Sequence, residues 1–335
     1  MCLHFSVLSV IVNFMINPVI KMLIDSPGQG FLPSKLLETG SVSNMDIDEV
    51  LHIATLMDCE KKINYSGGNL IFSPNISPVS PLFIESAFQG ELLGHNVISF
   101  PETQSTNDIA WGYSGKRENS GTVVLAESQR AGRGRYSDRQ WLDTPGNSVL
   151  MSVLLCGDMV APEFLSVAAG IAVAETIGDY CGLEATIKWP NDILFGAKKL
   201  SGVMVEARTV GGEIWYVLGL GVNCNQSQGH FPVELEDMAT SIYMETGVKV
   251  DRDAFILFLL EKLDDLLSAG YSQDEIAQRW SILSTTESSR LVLKEQGVNY
   301  SGIVESVDPF KGLTLRLEGG SLRFFDARTA SVVSF

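Results

Sequence analysis

The hydrophobic pattern changes period along this chain. Residues 1–80 carry helical spacings, then an alternating run, Lys62-Ile-Asn-Tyr-Ser-Gly-Gly-Asn-Leu-Ile-Phe72, that predicts a hairpin. The Pro/Ser-rich stretch 73–81 predicts a linker. Residues 81–283 alternate strand and helix patterns. Thr122–Ala126 and Ser148–Leu155 predict strands, and Pro162 to Tyr180 a long helix with Pro in its first turn. Gly202–Thr209 and Ile214–Val222 predict a β-ribbon turned at Gly211-Gly212, and Asp251 is placed to cap a strongly amphipathic helix through Leu267. Residues 284–335 hold five short strand patterns, near Leu291, Ile303, Leu315, Phe324 and Val332, which suit a small barrel. Three regions follow, 1–80, 81–283 and 284–335, with an α+β fold around a central mixed sheet.

Composition narrows the chemistry. The 335 residues include 24 Lys and Arg against 40 Asp and Glu, a net charge of −16. Such a chain is a poor general binder of nucleic acid or anionic membrane, so an anionic ligand needs a local basic pocket. Five scattered cysteines without a CxxC pair support neither a zinc site nor a disulfide framework, and fit a cytoplasmic location. The apolar stretch 1–23 lacks the positive start and small-residue cleavage site of a signal peptide, and Asn13, Asn17 and Pro18 interrupt it as a membrane span.

The basic pocket is present in sequence. Arg130, Arg133, Arg135 and Arg139 fall within ten positions, between two strand patterns, with Gly132 and Gly134 among them and Trp141 just beyond. Arginine forks and glycine-exposed amides suit a loop that folds over a phosphate-bearing small molecule. Alone, the loop also fits a solvated segment or an RG-type contact to RNA. Lys188-Trp-Pro-Asn-Asp192 ends a short strand, where Asn191 and Asp192 suit magnesium or a nucleotide, or form an ordinary turn. Period two along the next strand puts Lys199 on one face with Ser201, Val203 and Val205, half-buried, and leaves Lys198 solvated. In Trp215–Asn223 the same period puts Gly219, Gly221 and Asn223 on one face, cleared for a ligand ring or for another backbone. Ser105 or Thr106 is placed to cap a helix beginning near Asp108.

In this order, Ser105-Thr-Asn107, Gln129-Arg-Ala-Gly-Arg-Gly-Arg135, Lys188-Trp-Pro-Asn-Asp192, Lys199-Leu-Ser-Gly202 and Gly219-Leu-Gly-Val-Asn223 resemble the biotin–protein ligase family. The resemblance implies a fold related to class II aminoacyl-tRNA synthetases, with an SH3-like C-terminal domain. It implies ATP and biotin as substrates, Mg2+ with the nucleotide, and a biotin carboxyl carrier domain as acceptor. Biotinyl-5′-AMP forms first, and a carrier lysine then takes the biotinyl group. By the resemblance Ser105, Thr106 and Gln129 bind the ureido ring. Gly132 and Arg133 close over biotin and the acyl phosphate, and Arg135 and Arg139 meet phosphates. Trp141 packs the adenine side, while Lys199 bridges the carboxylate and the α-phosphate. Asn191 and Asp192 serve the nucleotide and magnesium, Gly202, Gly219 and Gly221 make room for biotin, and Asn223 contacts the nucleotide. Three residues, not the family's usual two, separate Arg135 from Arg139.

Two rival readings are separable. A lipoate–protein ligase shares the chemistry, but its Arg-Arg-x-Ser-Gly-Gly-Gly run is absent. A ligand-sensing repressor of biotin genes needs a DNA-binding winged helix. Residues 18–76 could supply it as helices at 18–26, 33–39 and 44–58 with the hairpin as wing. Residues 1–80, however, hold four lysines against seven acidic residues, a net of −3, which speaks against DNA as a partner. A homodimer remains compatible with the resemblance.

Overall fold

The structure is a computed structural model that describes residues 78–88, 90–135, 140–157 and 161–334, with the short strands Gly30–Phe31, Ile63–Ser66 and Asn69–Phe72. The expected winged-helix helices, the apolar start of the chain and Arg139 lie outside the described residues.

Strands β1 (Gly30–Phe31), β2 (Ile63–Ser66) and β3 (Asn69–Phe72) form a three-stranded sheet in the order β1-β3-β2. The predicted hairpin is there, and β1 is an addition that two residues of sequence could not announce. The expected linker ends early. Val79 is buried and Ser80 caps helix α1 (Pro81–Ala87), its side chain accepting from the Phe83 amide.

The central sheet is mixed. It contains β4 (Asn96–Phe100), β5 (Thr122–Ala126), β6 (Ser148–Cys156), β7 (Thr186–Lys188), β8 (Asp192–Phe195), β9 (Lys198–Val210) and β10 (Glu213–Asn223), in the order β4-β5-β6-β10-β9-β8-β7. Only β4 and β5 run parallel; the other pairs are antiparallel. The β9–β10 ribbon turns at Gly211 and Gly212, both at positive φ (62° and 86°), the combination a two-residue hairpin turn with the right twist requires.

Alternation sorts this sheet into two faces. Val123, Leu125, Val149, Val153, Leu218, Leu220 and Val222 enter the main core. Helix α3 (Pro162–Cys181) and helix α5 (Arg252–Ser268) belong to that core, each buried aliphatic side chain contributing about 1.5–3 kcal/mol. By length and composition α3 could cross a membrane, yet 67% of its apolar window is buried in this core. On the opposite face, Val124, Leu154, Trp215 and Val217 pack with Ala110 and Trp111 of the short helix α2 (Thr106–Gly112). Beyond α2 that face is free to form a site.

Asp251 caps α5 as expected, its side chain accepting from the Ala254 amide (3.1 Å). The helix is not strongly amphipathic, however: Arg252, Asp253 and Asp264 are buried along with its apolar residues. They are tolerated because each has partners. Arg252 pairs with Glu127 (2.8 Å), Asp253 accepts from the Ser80 amide, and Asp264 accepts from the amides of Glu91, Leu92 and Leu93. Between α3 and α6 (Gln273–Leu283), Arg279 bonds both carboxylate oxygens of Glu175. A short helix α4 (Ile242–Thr246) follows the β10 exit.

All five expected C-terminal strands form: β11 (Arg290–Glu295), β12 (Val298–Asp308), β13 (Gly312–Leu317), β14 (Leu322–Asp326) and β15 (Ser331–Ser334). They make one antiparallel sheet, ordered β14-β13-β12-β11-β15. The C-terminal region meets the rest of the fold where Thr286, just before β11, accepts from the Trp189 amide after β7, and where Phe310 of the β12–β13 turn stacks on Phe164 of α3 (6.1 Å between centroids).

Candidate active site

The open face of β9 and β10 floors a pocket whose walls come from α2, the arginine loop and the β7–β8 turn. Ser105, Thr106, Gln129, Arg133, Arg135, Trp141, Asn191, Lys199, Gly202, Gly219 and Gly221 all line it. Residues spread over more than a hundred positions thus converge because adjacent antiparallel strands bring Gly202 opposite Gly221 and Met204 opposite Gly219.

The polar end is a continuous network. Ser105 occupies the N-cap of α2 without bonding through its side chain. Gln129 Oε1 instead accepts from the Thr106 amide (2.7 Å) and hydroxyl (3.1 Å). Ser152 lies 2.7 Å from the Thr106 hydroxyl and 2.6 Å from Asn107 Oδ1. The Asn107 amide group donates to Glu206 (2.8 Å). Glu206 also receives the Trp111 indole N–H (2.9 Å), Arg133 (3.0 Å) and Arg208 (3.2 Å). Burial alone would raise this carboxyl, but the bonds from Asn107 and Trp111 and the Arg133 charge outweigh it and hold the group below the ordinary carboxylate range.

The cationic end comes from the loop and from β9. Arg133 bonds Asp108 (2.6 Å) as well as Glu206. Arg135 reaches across to the Ala327 carbonyl after β14. Lys199 pairs with Asp192 and lies 5.8 Å from the centroid of the Trp141 ring. The loop base is closed by backbone bonds from Arg130 to Thr103, Ala131 to Gln104 and Trp141 to Gly132.

Lys199 is in the pocket for a reason other than the one its sequence suggests. The β8–β9 register shifts between Ile193, opposite Ser201, and Leu194, opposite Lys199. This bulge reverses the alternation, so Lys199 shares its face with Gly202, not with the buried Ser201 and Val203; a Cβ on Gly202 would lie 3.1 Å from Lys199 Nζ. Lys198 is not simply solvated either, since it donates to the Glu236 carbonyl (2.8 Å). The segment after it holds the lysine's backbone, with bonds from Lys199 N to Met238 O (2.8 Å) and from Thr240 N to Lys199 O (2.9 Å).

Gly219 and Gly221 share the pocket face of β10 as expected, but what lies against them is side chain, not another backbone. A Cβ on Gly219 would meet Asn107 Oδ1 at 2.5 Å, and one on Gly221 would meet the Trp141 indole at 2.6 Å. Trp141 thereby fills much of the floor and leaves a cavity of about 60 Å³. Among the described residues, three expected ones stand outside the lining. Gly132 supports the loop, where a Cβ would meet the Trp141 carbonyl at 2.6 Å. Asp192 touches the site only through Lys199. Asn223 turns away, donating to Thr240 O (3.0 Å) and accepting from Gln226 (3.2 Å). For magnesium, Asn191 spends its N–H on Val203 O (2.6 Å) and Asp192 is committed to Lys199. Among the described residues no group of three or more His, Cys, Asp or Glu is placed to hold a metal ion. Glu206, Asn107, Asp108 and Ser152 were not singled out for this site. An acidic residue ending the strand pattern Val203-Met-Val-Glu206 was the available signal for the first.

Known proteins agree with this geometry. Residues 99–223 match the family described as Biotin/lipoate A/B protein ligase. The bifunctional ligase/repressor BirA of Bacillus subtilis is 33% identical over 217 residues, 63% of this chain and 66% of that protein. The biotin–[acetyl-CoA-carboxylase] ligase of Mycobacterium tuberculosis is 30% identical over 228 residues, 65% of this chain and 82% of that protein. The biotin protein ligase of Aquifex aeolicus, solved in complex with biotin and ATP, superposes with a TM-score of 0.62 at 25% identity, covering 72% of this chain and 99% of that one. With its ordered motifs gathered around one glycine-floored, arginine-rimmed pocket, the chain belongs to the biotin–protein ligase family.

Proposed function

We propose that this chain is an ATP-dependent biotin–protein ligase that makes biotinyl-5′-AMP and passes the biotinyl group to a lysine of a biotin carboxyl carrier domain. The observation that carries the reading is the convergence of Lys199, Arg133 and Arg135 on a pocket whose other end is the Thr106–Gln129–Ser152 network. The network supplies donors and acceptors for a ureido ring. The cations supply charge where a carboxylate attacks an α-phosphate and pyrophosphate leaves.

In the first step Lys199 leaves Asp192 to neutralise the approaching carboxylate and phosphate, which repel each other in water. Arg133 and Arg135 offer forked donors to the phosphate oxygens, exchanging their resting partners for the ligand. In the second step the carrier amine attacks the acyl carbon and AMP departs. Alignment and charge neutralisation do most of the work. Asn191 and Asp192 would stand at the nucleotide end, where a magnesium ion brought with ATP would offset phosphate charge. Arg139 and Trp141 serve phosphate and adenine, and Asn223 acts by supporting the β10 exit.

We also read residues 284–335 as an SH3-like barrel, residues 1–80 as a winged-helix-like region with little affinity for DNA, and residues 81–283 as the catalytic domain. The protein works in the cytoplasm, and a homodimer is compatible with its architecture. The test is incubation with MgATP, biotin and a carrier domain, read as mass gain on the carrier. Gain with biotin and none with lipoate is expected; no gain with folded protein and carrier rejects the reading.

A further inference from the structure

Glu206 stands apart among the acidic residues around the pocket. Its side chain is only 17% exposed, and both oxygens take two bonds: Asn107 and Arg133 on one, Trp111 and Arg208 on the other. Its four partners come from three places: α2, the arginine loop and β9 itself. A carboxylate with every acceptor position filled fixes the orientation of what it holds.

Two of those partners matter for the pocket. Asn107 spends its N–H on Glu206, so its Oδ1 must face Ser152. Asn107 Oδ1 can only accept, so the single Ser152 proton goes there, while the Thr106 hydroxyl, 2.7 Å from Ser152, has Gln129 Oε1 as its own acceptor. The Thr106–Ser152–Asn107 row is therefore anchored at its Asn107 end by Glu206. The other partner is Arg133, the loop arginine whose guanidinium forks between Glu206 and the more exposed Asp108.

We infer that Glu206 is a positioning residue that couples the arginine loop to the polar floor of the pocket, so that the floor which orients the substrate's ring and the arginine which retains the adenylate are set by one buried carboxylate. The inference rests on the biotin ligase reading above. Its chemistry is that of acceptance: an amide in place of the carboxylate presents a donor to one side, where it faces the N–H of Trp111 or the donors of Asn107 and Arg133. One pair must separate.

The experiment compares wild type, Glu206→Gln, Arg133→Ala and the double variant. Adenylate formation is followed by pyrophosphate exchange, and adenylate escape by biotin label on bystander protein amines without carrier. Glu206→Gln is expected to raise KM for biotin about tenfold, as loss of a charge-assisted bond to the floor would, while kcat changes less than about threefold. Bystander labelling rises. The double variant labels no more than Arg133→Ala alone, because the escape caused at position 206 runs through the arginine. Additive labelling in the double variant, or a kcat loss with KM unchanged, overturns the inference. Glu206→Asp keeps the buried charge should the glutamine variant fail to fold. Its shorter reach is expected to give intermediate labelling, and wild-type labelling and KM there also overturn it. A wild-type chain inactive with biotin would instead reject the functional reading underneath.

Discussion

At the scale of single residues, the site is a set of charges held by partners that a ligand can replace. Lys199 rests on Asp192, Arg133 on Asp108 and Glu206, and Arg135 on a carbonyl. Among the described residues Lys199 supplies the one ammonium in the pocket lining. Lys199→Ala should lower adenylate formation about 10²–10³-fold, the scale of losing a charge-stabilising donor. Lys198→Ala loses a single bond to the Glu236 carbonyl beside the Met238–Thr240 clamp and should cost less than about tenfold, since a neutral-acceptor bond contributes only about 1 kcal/mol. Equal losses in a pyrophosphate-exchange assay would contradict the assigned faces. Glu206 gives a pH signature. Its folded value lies below the ordinary 4.5, so its contribution to stability is full above 4.5 and is lost as pH falls through that lower value. The Tm gap between wild type and Glu206→Gln should therefore narrow as pH falls from neutral to below 4.5; a constant gap would show that the carboxylate does not titrate as described.

At the scale of elements, what period two governs was legible and what pairing governs was not. The glycine face of β10 and the five C-terminal strands follow from alternation and turn residues within each segment. The placement of Lys199 depends on a bulge, one extra residue opposite β8, and nothing inside Lys198–Val205 announces that its neighbour will run out of register. The buried charges of α5 were hidden for a related reason. Arg252, Asp253 and Asp264 look like a solvated face until Glu127, Ser80 and the 91–93 backbone arrive from far along the chain. The arginine loop belongs to this scale too. Its base is pinned by three backbone bonds, Arg133 by the Asp108 and Glu206 carboxylates and Arg135 by the Ala327 carbonyl. Protease cleavage between Arg130 and Trp141 should slow at saturating biotin and MgATP, read by timed mass spectrometry. An unchanged rate would mean the loop does not close over the ligand.

At the scale of the whole molecule, charge decides the partners. A net of −16, of which residues 1–80 contribute −3, leaves the arginine loop as a local positive feature. DNA affinity grows with phosphates neutralised and counterions released, and an acidic N-terminal region works against both. A low-salt anisotropy titration on the biotin-gene promoter, with biotin and ATP present, should find no sequence-specific binding tighter than about 10⁻⁸ M, the weak end of specific recognition. The C-terminal sheet has a different whole-molecule role, because its Ala327 carbonyl gives Arg135 a resting place more than 190 residues away in sequence.

The indole of Trp141 against Gly221 has a kinetic consequence. The ring's nearest atom would lie 2.6 Å from a Cβ placed on Gly221. A ligand seated on Gly221 must first displace the indole, and the measured affinity is then the intrinsic one reduced by the fraction of time the ring stands away. Association of biotin followed by stopped flow should accordingly level off at high concentration, at the rate of indole departure. Trp141→Ala should raise that ceiling or abolish it, trading slow entry for an equally easy exit.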